Sequence, residues 1–162
     1  MCFLFLIGDK VVYPMQGIGT VERIENKIFS GNTKEYIIVK ITSNNLEIMI
    51  PSDKASNSNL RKVCDNSTLD HILLTLENKS SEFELASSKE RYQANAKKIR
   101  SGLLKDSAEV VYDLILMNKK KSLSSSEKQL FNTAYKFLVE EVSVIKNISE
   151  IEATSFLNLN LN

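Results

Sequence analysis

The stretch Ile7-Gly8-Asp9-Lys10-Val11-Val12-Tyr13-Pro14-Met15-Gln16-Gly17-Ile18-Gly19 decides how the chain begins to fold. Lys10 to Tyr13 is short, β-branched and aromatic, a composition that suits a pleated, half-buried strand. Gly8-Asp9 before it and Pro14 to Gly19 after it are turn chemistry, because glycine reaches positive φ and proline presets its own. Outward from this unit the texture repeats. Further strands are expected at Gly19 to Glu25, Tyr36 to Ile41 and Glu47 to Ile50, with turns at Gly17-Ile18-Gly19, Ser30-Gly31-Asn32 and Asn44-Asn45. Four of the five glycines and both prolines fall before Arg61, and short strands at this spacing predict a small antiparallel barrel. Along the fourth strand, alternation puts Leu46, Ile48 and Ile50 on one face and Glu47, Met49 and Pro51 on the other. If the isoleucines form the core, Met49 points outward. Tyr36 to Ile41 is apolar on both faces, so alternation leaves Val39 open between core and partner surface.

After Ser67 the punctuation changes. Ser87-x-x-Glu90, Asp106-x-x-Glu109, Ser124-x-x-Glu127 and Ser149-x-x-Glu152 each fit or approximate a helix-start pattern, in which a short side chain and a carboxylate cap each other's backbone N–H groups. Apolar residues follow at helical spacing, Val111, Ile115 and Leu116 behind one start and Leu130, Phe131, Ala134, Phe137 and Leu138 behind the next. A helical bundle is expected, with a short joining helix at Leu69 to Leu76 and a polar loop from Asn78 to Glu84. Leu157 to Asn162 carries no cap and is expected to fray. The sequence thus predicts an α+β protein, a β-barrel over residues 1–66 and a helical bundle over residues 67–162.

Composition narrows the function. The 162 residues hold 21 basic and 20 acidic side chains, and neither half is basic as a whole. Between Lys89 and Lys121, however, nine basic residues face four acidic ones, enough for a local patch, although solvated helix faces would have the same composition. No apolar run approaches the roughly 20 residues of a membrane-spanning helix and no basic leader precedes Phe3, so a cytoplasmic location with no membrane partner is expected. Cys2, Cys64 and the single His71 cannot supply the usual zinc ligand sets, and no nucleophile motif or phosphate loop is present. An enzyme built on Cys64 and His71 would rest on proximity in sequence alone. Neither cofactor nor small-molecule substrate is implied.

The opening quoted above, with Val21, Ile24 and Glu25, then Lys34-Glu35-Tyr36, Ile48-Met49-Ile50-Pro51 and Leu60-Arg61, resembles the start of the CarD/CdnL family of bacterial transcription regulators. The resemblance continues through Arg91-Tyr92-Gln93-Ala94-Asn95, Ala108 to Leu114 and Leu123-Ser124-x-x-Glu127-Lys128, so it spans both halves. It implies a Tudor-like RNA polymerase-interacting domain, shared with transcription-repair coupling factor, followed by a helical domain that the coupling factor lacks. It further implies that the barrel docks on a lobe of the polymerase β subunit through the positions of Lys27, Val39, Met49 and Pro51. The helical domain would then contact promoter DNA and modulate open-complex stability. Many members wedge a tryptophan into the minor groove there. This sequence has no Trp, and the corresponding position is Ser88. Promoter contact would therefore fall to phosphate-binding cations, with Arg91, Lys97, Lys98, Arg100 and Lys128 as candidates. Tyr92 is expected to pack between helices along the face of Ala96 and Ile99. The rival expectation is a protein adaptor on polymerase that never touches DNA.

Overall fold

The computed structural model describes residues 5–79 and 87–162. Most of the loop expected from Asn78 to Glu84, and Cys2, lie outside the described residues. The chain divides into two compact units, Met1–Val63 and Cys64–Asn162.

The first unit is a five-stranded antiparallel sheet of order β4-β3-β2-β1-β5. Its strands are β1 (Lys10–Tyr13), β2 (Gly17–Phe29), β3 (Asn32–Ile41), β4 (Glu47–Pro51) and β5 (Arg61–Lys62), with a 3₁₀ turn at Ser52–Asn57. Both β5 and the 3₁₀ turn lack the apolar period that would have announced them. The central hairpin is much longer than the sequence predicts, because β2 and β3 continue past their apolar stretches to a two-residue turn. There Ser30 and Gly31 have φ of 51° and 79°, the left-handed pair that matches the twist of a hairpin. Gly17 to Gly19, expected as a turn, opens β2 instead, and the chain reverses at Pro14 to Gln16 with Met15 at φ 67°. Gly19 has a different duty. A Cβ there would lie 2.7 Å from Val39 Cγ1 and 2.9 Å from the Lys40 carbonyl oxygen, so the close approach of β2 to β3 requires glycine.

Register explains the faces of the sheet. Val21 pairs with Val39, but the next paired residue of β2 is Arg23, opposite Ile38. The extra residue, Glu22, is a β-bulge, and it reverses the alternation of everything beyond it. Val21 therefore points into the core with Val11, Ile37, Val39, Ile41 and Ile50, and Ile24 follows them inward. Arg23, Glu25 and Lys27 turn to the opposite face. Leu46, expected on the core side, is exposed in the connection before β4.

The second unit is all helical: α1 (Asn66–Glu77), α2 (Ser88–Arg100), α3 (Leu104–Lys120), α4 (Ser125–Lys146) and α5 (Glu150–Leu161). Reciprocal capping boxes start α2 at Ser87 and Glu90 and α4 at Ser124 and Glu127, and Ser149 caps α5. The third expected start is misplaced. Leu103 is the N-cap of α3 without a side-chain bond, and Asp106 lies inside the first turn, accepting a 2.7 Å bond from the Ser101 hydroxyl. The division between units falls three residues earlier than the expected 66/67. Cys64 donates its N–H to Glu141 of α4 at 3.1 Å, Asp65 caps α1 through Thr68, and Asn66 accepts from Lys146 at 3.4 Å, so these residues belong to the helices.

The C-terminal segment does not fray. Leu157 and Leu161 lie in the core of the helical unit beside Ala153, Leu138 and Val142. The alternating Leu-Asn pattern concealed a helix because leucines two apart, Leu157 and Leu159, fall on opposite sides of it. Leu157 is fully buried, so Leu157→Ala should leave a cavity and lower stability by about 2 to 5 kcal/mol. Chemical denaturation followed by helical circular dichroism checks this, and a loss under about 0.5 kcal/mol, the range of an exposed position, would contradict a packed α5.

Candidate functional site

On the sheet unit, the bulge and the pairing of β3 with β4 bring one set of side chains to the outer face. Tyr36 pairs with Pro51, Ile38 with Met49 and Lys40 with Glu47, while Arg23, Glu25 and Lys27 approach from β2. Three of the sequence-predicted residues, Lys27, Met49 and Pro51, share this face. Met49 is 42% exposed on β4, an edge strand of the sheet. Val39 is fully buried on the opposite face, where it packs in the core and presents no surface. Its neighbour Ile38 is the β3 residue that lies in line with Arg23 and Met49.

Charge organises this face. Arg23 reaches diagonally across β3 to Glu47, with guanidinium-to-carboxylate distances of 2.9 and 3.3 Å, and it also binds Glu25. The Glu47 and Glu25 bonds hold Arg23 more firmly protonated than an ordinary arginine, and the Arg23 bond holds both carboxyls below their usual range. Lys27 is 3.6 Å from Glu25, and its register partner Lys34 is 3.7 Å from Asp53. At the hairpin tip Phe29 packs edge-on against Tyr36, their centroids 5.9 Å apart. The result is a methionine and a proline on an edge strand beside a fixed network of charges. Arg23 was missed from sequence because strict alternation would have buried it with Val21.

On the helical unit the five expected cations separate into two groups. Arg91 turns into the bundle. Its Nε donates at 3.0 Å to Glu127, whose side chain is only 1% exposed and also belongs to the α4 capping box. Lys98 donates at 2.9 Å to Glu109, which Lys79 and Lys105 also approach. Burial works against the Glu109 charge, but the Lys98 bond and the three ammonium groups outweigh it, so this carboxyl lies below its usual range. Lys97, Arg100 and Lys128 are exposed and have no ion-pair partner among the described residues. Lys97 and Arg100 share the outer side of α2 with Lys89 and Gln93, and Lys128 stands in the first turn of α4. Tyr92, expected between helices, is 39% exposed. His71 is exposed on α1, and no metal-binding cluster occurs among the described residues.

Residues 5–64 match the CarD-like/TRCF RID domain, and residues 71–158 match the C-terminal domain of CarD. The chain belongs to the CarD family. The candidate transcription factor YdeB of Bacillus subtilis (strain 168) is 41% identical over 153 residues, which cover 94% of this chain and 99% of YdeB. The solution NMR structure of the 72-residue N-terminal domain of Myxococcus xanthus CarD is 27% identical, covers 38% of this chain and 83% of that one, and has a TM-score of 0.32. The sheet unit is thus a CarD-like, Tudor-like domain, and the whole chain is a bacterial transcription regulator of the CarD type.

In this CarD C-terminal domain, Ser88 is the first residue of α2, directly after the N-cap, and it is exposed. Buried polar groups elsewhere in the domain hold helices together. Burial raises the Asp113 carboxyl above its usual range even though Lys79 donates to it at 2.9 Å. Arg91 and Glu127 form the most deeply buried such pair described above. Arg91→Ala would leave Glu127 buried without its partner and should lower stability by about 3 to 5 kcal/mol. Lys97→Ala should change it by less than about 0.5 kcal/mol. Urea unfolding of the two variants side by side makes the comparison, and equal stabilities would show that Arg91 is not a strut.

Proposed function

We propose that this protein regulates transcription initiation without catalysis, its sheet domain tethering it to the RNA polymerase β subunit and its helical domain approaching promoter DNA. The single observation that carries the proposal is the outer face of the sheet. An exposed Met49 and the edge residue Pro51 lie beside the Arg23–Glu47 pair, within the residues that match the CarD-like/TRCF RID domain. Methionine adapts to an apolar partner, and an edge strand leaves room for a partner strand to extend the sheet. Lys27 contributes a rim charge and Val39 supports the face from the core. The cations proposed for phosphate contact are Lys97, Arg100 and Lys128. Arg91 and Lys98 instead serve the packing of the helices. No helix among the described residues is long and apolar enough to cross a membrane.

Energetically, the regulator shifts the equilibrium between closed and melted promoter by binding one state better than the other. With three cations and no aromatic wedge, its DNA contact is weak, salt-dependent and nearly indifferent to sequence. Tethering compensates by raising the local concentration of the helical domain at the promoter. A second possibility, a protein adaptor without DNA contact, draws support from the engagement of Arg91 and Lys98 in ion pairs and from the serine at position 88.

Two measurements test these statements. Met49→Glu places a charge in the proposed contact and should weaken binding to the isolated β-subunit lobe by more than about 2 kcal/mol, with the fold intact. Calorimetric binding at wild-type strength would remove Met49 from the interface. For DNA, replacing Lys97 and Arg100 together by alanine should shorten open-complex lifetime on a linear promoter while leaving polymerase affinity unchanged. Ser88→Trp should lengthen that lifetime. If neither lifetime moves, the adaptor is the correct description.

A further inference from the structure

The helical domain holds an open cleft of about 400 Å³ between α3 and α4, floored by side chains of the bundle core and rimmed by polar groups that neither the polymerase contact nor the packing of the bundle accounts for. Its apolar side is made by Leu114, Ile115, Leu123 and Phe131. Its polar side carries two ammonium groups, Lys119 and Lys128, and three amides, Asn118, Asn132 and Asn162, of which Asn162 already donates to the Asn158 carbonyl at 3.0 Å. The volume sits at the low end of sites that take small organic ligands, roughly 300 to 1,000 Å³.

Each part of this lining restricts the occupant. Phe131 is stacked on Tyr135 with centroids 5.6 Å apart and planes within 16°, and the Tyr135 hydroxyl is anchored on Asn158 at 2.9 Å. The phenyl ring is therefore held in place and already oriented for a flat partner. Lys128 stands in the first turn of α4, where the helix dipole disfavours a cation, so helix stability does not explain its charge. Neither Lys119 nor Lys128 has an acidic partner among the described residues, and neither the Asn118 nor the Asn132 side chain has a hydrogen bond there. An inorganic anion would leave the Phe131 ring uncovered, and an aliphatic acid would use neither the flat face of that ring nor the exposed amides. A planar heterocycle with polar edges and an attached anion satisfies all three sets of groups.

We propose that this cleft binds a nucleotide, its base against Phe131, its base edge on Asn118 and Asn132, and its phosphate between Lys119 and Lys128. Two sources share that chemistry, a free nucleoside phosphate and an unpaired nucleotide within a DNA strand. Base stacking on an aromatic side chain is tolerant of sequence, and phosphate neutralisation by lysine is equally so. The inference does not depend on the polymerase contact and is tested without polymerase.

The experiment titrates the full-length chain with adenosine 5′-monophosphate, adenosine, inorganic phosphate and a short single-stranded oligodeoxyadenylate, reading calorimetry together with methyl resonances of Leu114, Ile115 and Leu123. The monophosphate should bind more tightly than adenosine or phosphate alone and should move those methyl resonances. Lys128→Gln, at an exposed position, should weaken the monophosphate about tenfold and adenosine little, the loss expected for one charge-assisted bond. Phe131→Leu keeps the apolar volume but removes the ring, and should weaken both nucleoside ligands at least about fivefold. Competition by the oligonucleotide through the same two residues assigns the site to a DNA strand, whereas monophosphate binding without such competition assigns it to a free nucleotide. The proposal is overturned if the monophosphate binds no better than inorganic phosphate, or if its affinity is indifferent to both substitutions in variants whose thermal unfolding matches the parent chain.

Discussion

One extra residue in β2 decides what the sheet domain shows to the outside. Without the bulge at Glu22, regular alternation from Val21 would carry Arg23 and Glu25 into the core and lift Ile24 and Ile28 to the other face. Burying those charges would cost far more than the sheet could return, so the register shift is tied to the sequence Val21-Glu22-Arg23-Ile24 itself. The same shift puts Arg23 within reach of Glu47 two strands away and holds the outer face around Ile38 and Met49 in one arrangement. Gly19 supplies the other half of the constraint. Only a residue without a Cβ lets β2 lie close enough to Val39 and Lys40 for the ladder to form on both sides of the bulge.

In the helical domain the corresponding role falls to carboxylates that act twice. Glu127 closes the capping box of α4 and receives Arg91 from α2, so one buried side chain sets both where α4 starts and which neighbour it meets. Glu109 gathers Lys98 from α2 and Lys79 from the end of α1 against α3. Such pairs are poor sources of net stability, since desolvation offsets much of their attraction. They are costly to break one partner at a time, however, and they leave the helices few alternative registers. A residue can therefore be basic, lie in a basic segment and still be unavailable to a phosphate.

How legible each feature was follows from the kind of signal that specifies it. Strand cores, the capping boxes at Ser87 and Ser124 and the outward turn of Met49 are local patterns, and the sequence carried them. Three features depended on partners remote in the chain. The bulge shows in sequence only as apolar residues three apart, Val21 and Ile24, a spacing that also reads as helical. Arg91 and Lys98 look like solvated cations until the acids 36 and 11 residues later are folded against them. α5 has apolar residues on both faces, so periodicity gave no direction, and only packing against α4 selects Leu157 and Leu161 for the core. Asp106 misled for the opposite reason. Its spacing to Glu109 fits a capping box, but α3 begins at Leu104, directly after the Leu103 N-cap, which puts Asp106 inside the first turn instead of at the cap.

Charge already paired inside the bundle limits what the helical domain can do on DNA by itself. If Arg91 and Lys98 had been free, they would add two cations to the exposed Lys89, Lys97, Arg100 and Lys128 of α2 and α4, enough for appreciable affinity for any duplex. With both engaged, fewer remain, and a smaller number of neutralised phosphates means weaker binding with a flatter salt dependence. On the proposed reading, such a domain would gain occupancy on DNA chiefly when something else holds it nearby, which would tie its action to the partner proposed for the sheet face rather than to free DNA. Lys128 is the cation on which the two proposals converge, being exposed at the start of α4 and also part of the wall of the α3–α4 cleft. A strand that placed one phosphate on Lys128 could present its neighbouring unpaired base to Phe131, which a paired base within a duplex cannot do. On the two proposals taken together, the helical domain would favour a melted promoter through an aromatic ring already in the bundle, on α4, instead of through a wedge at the start of α2.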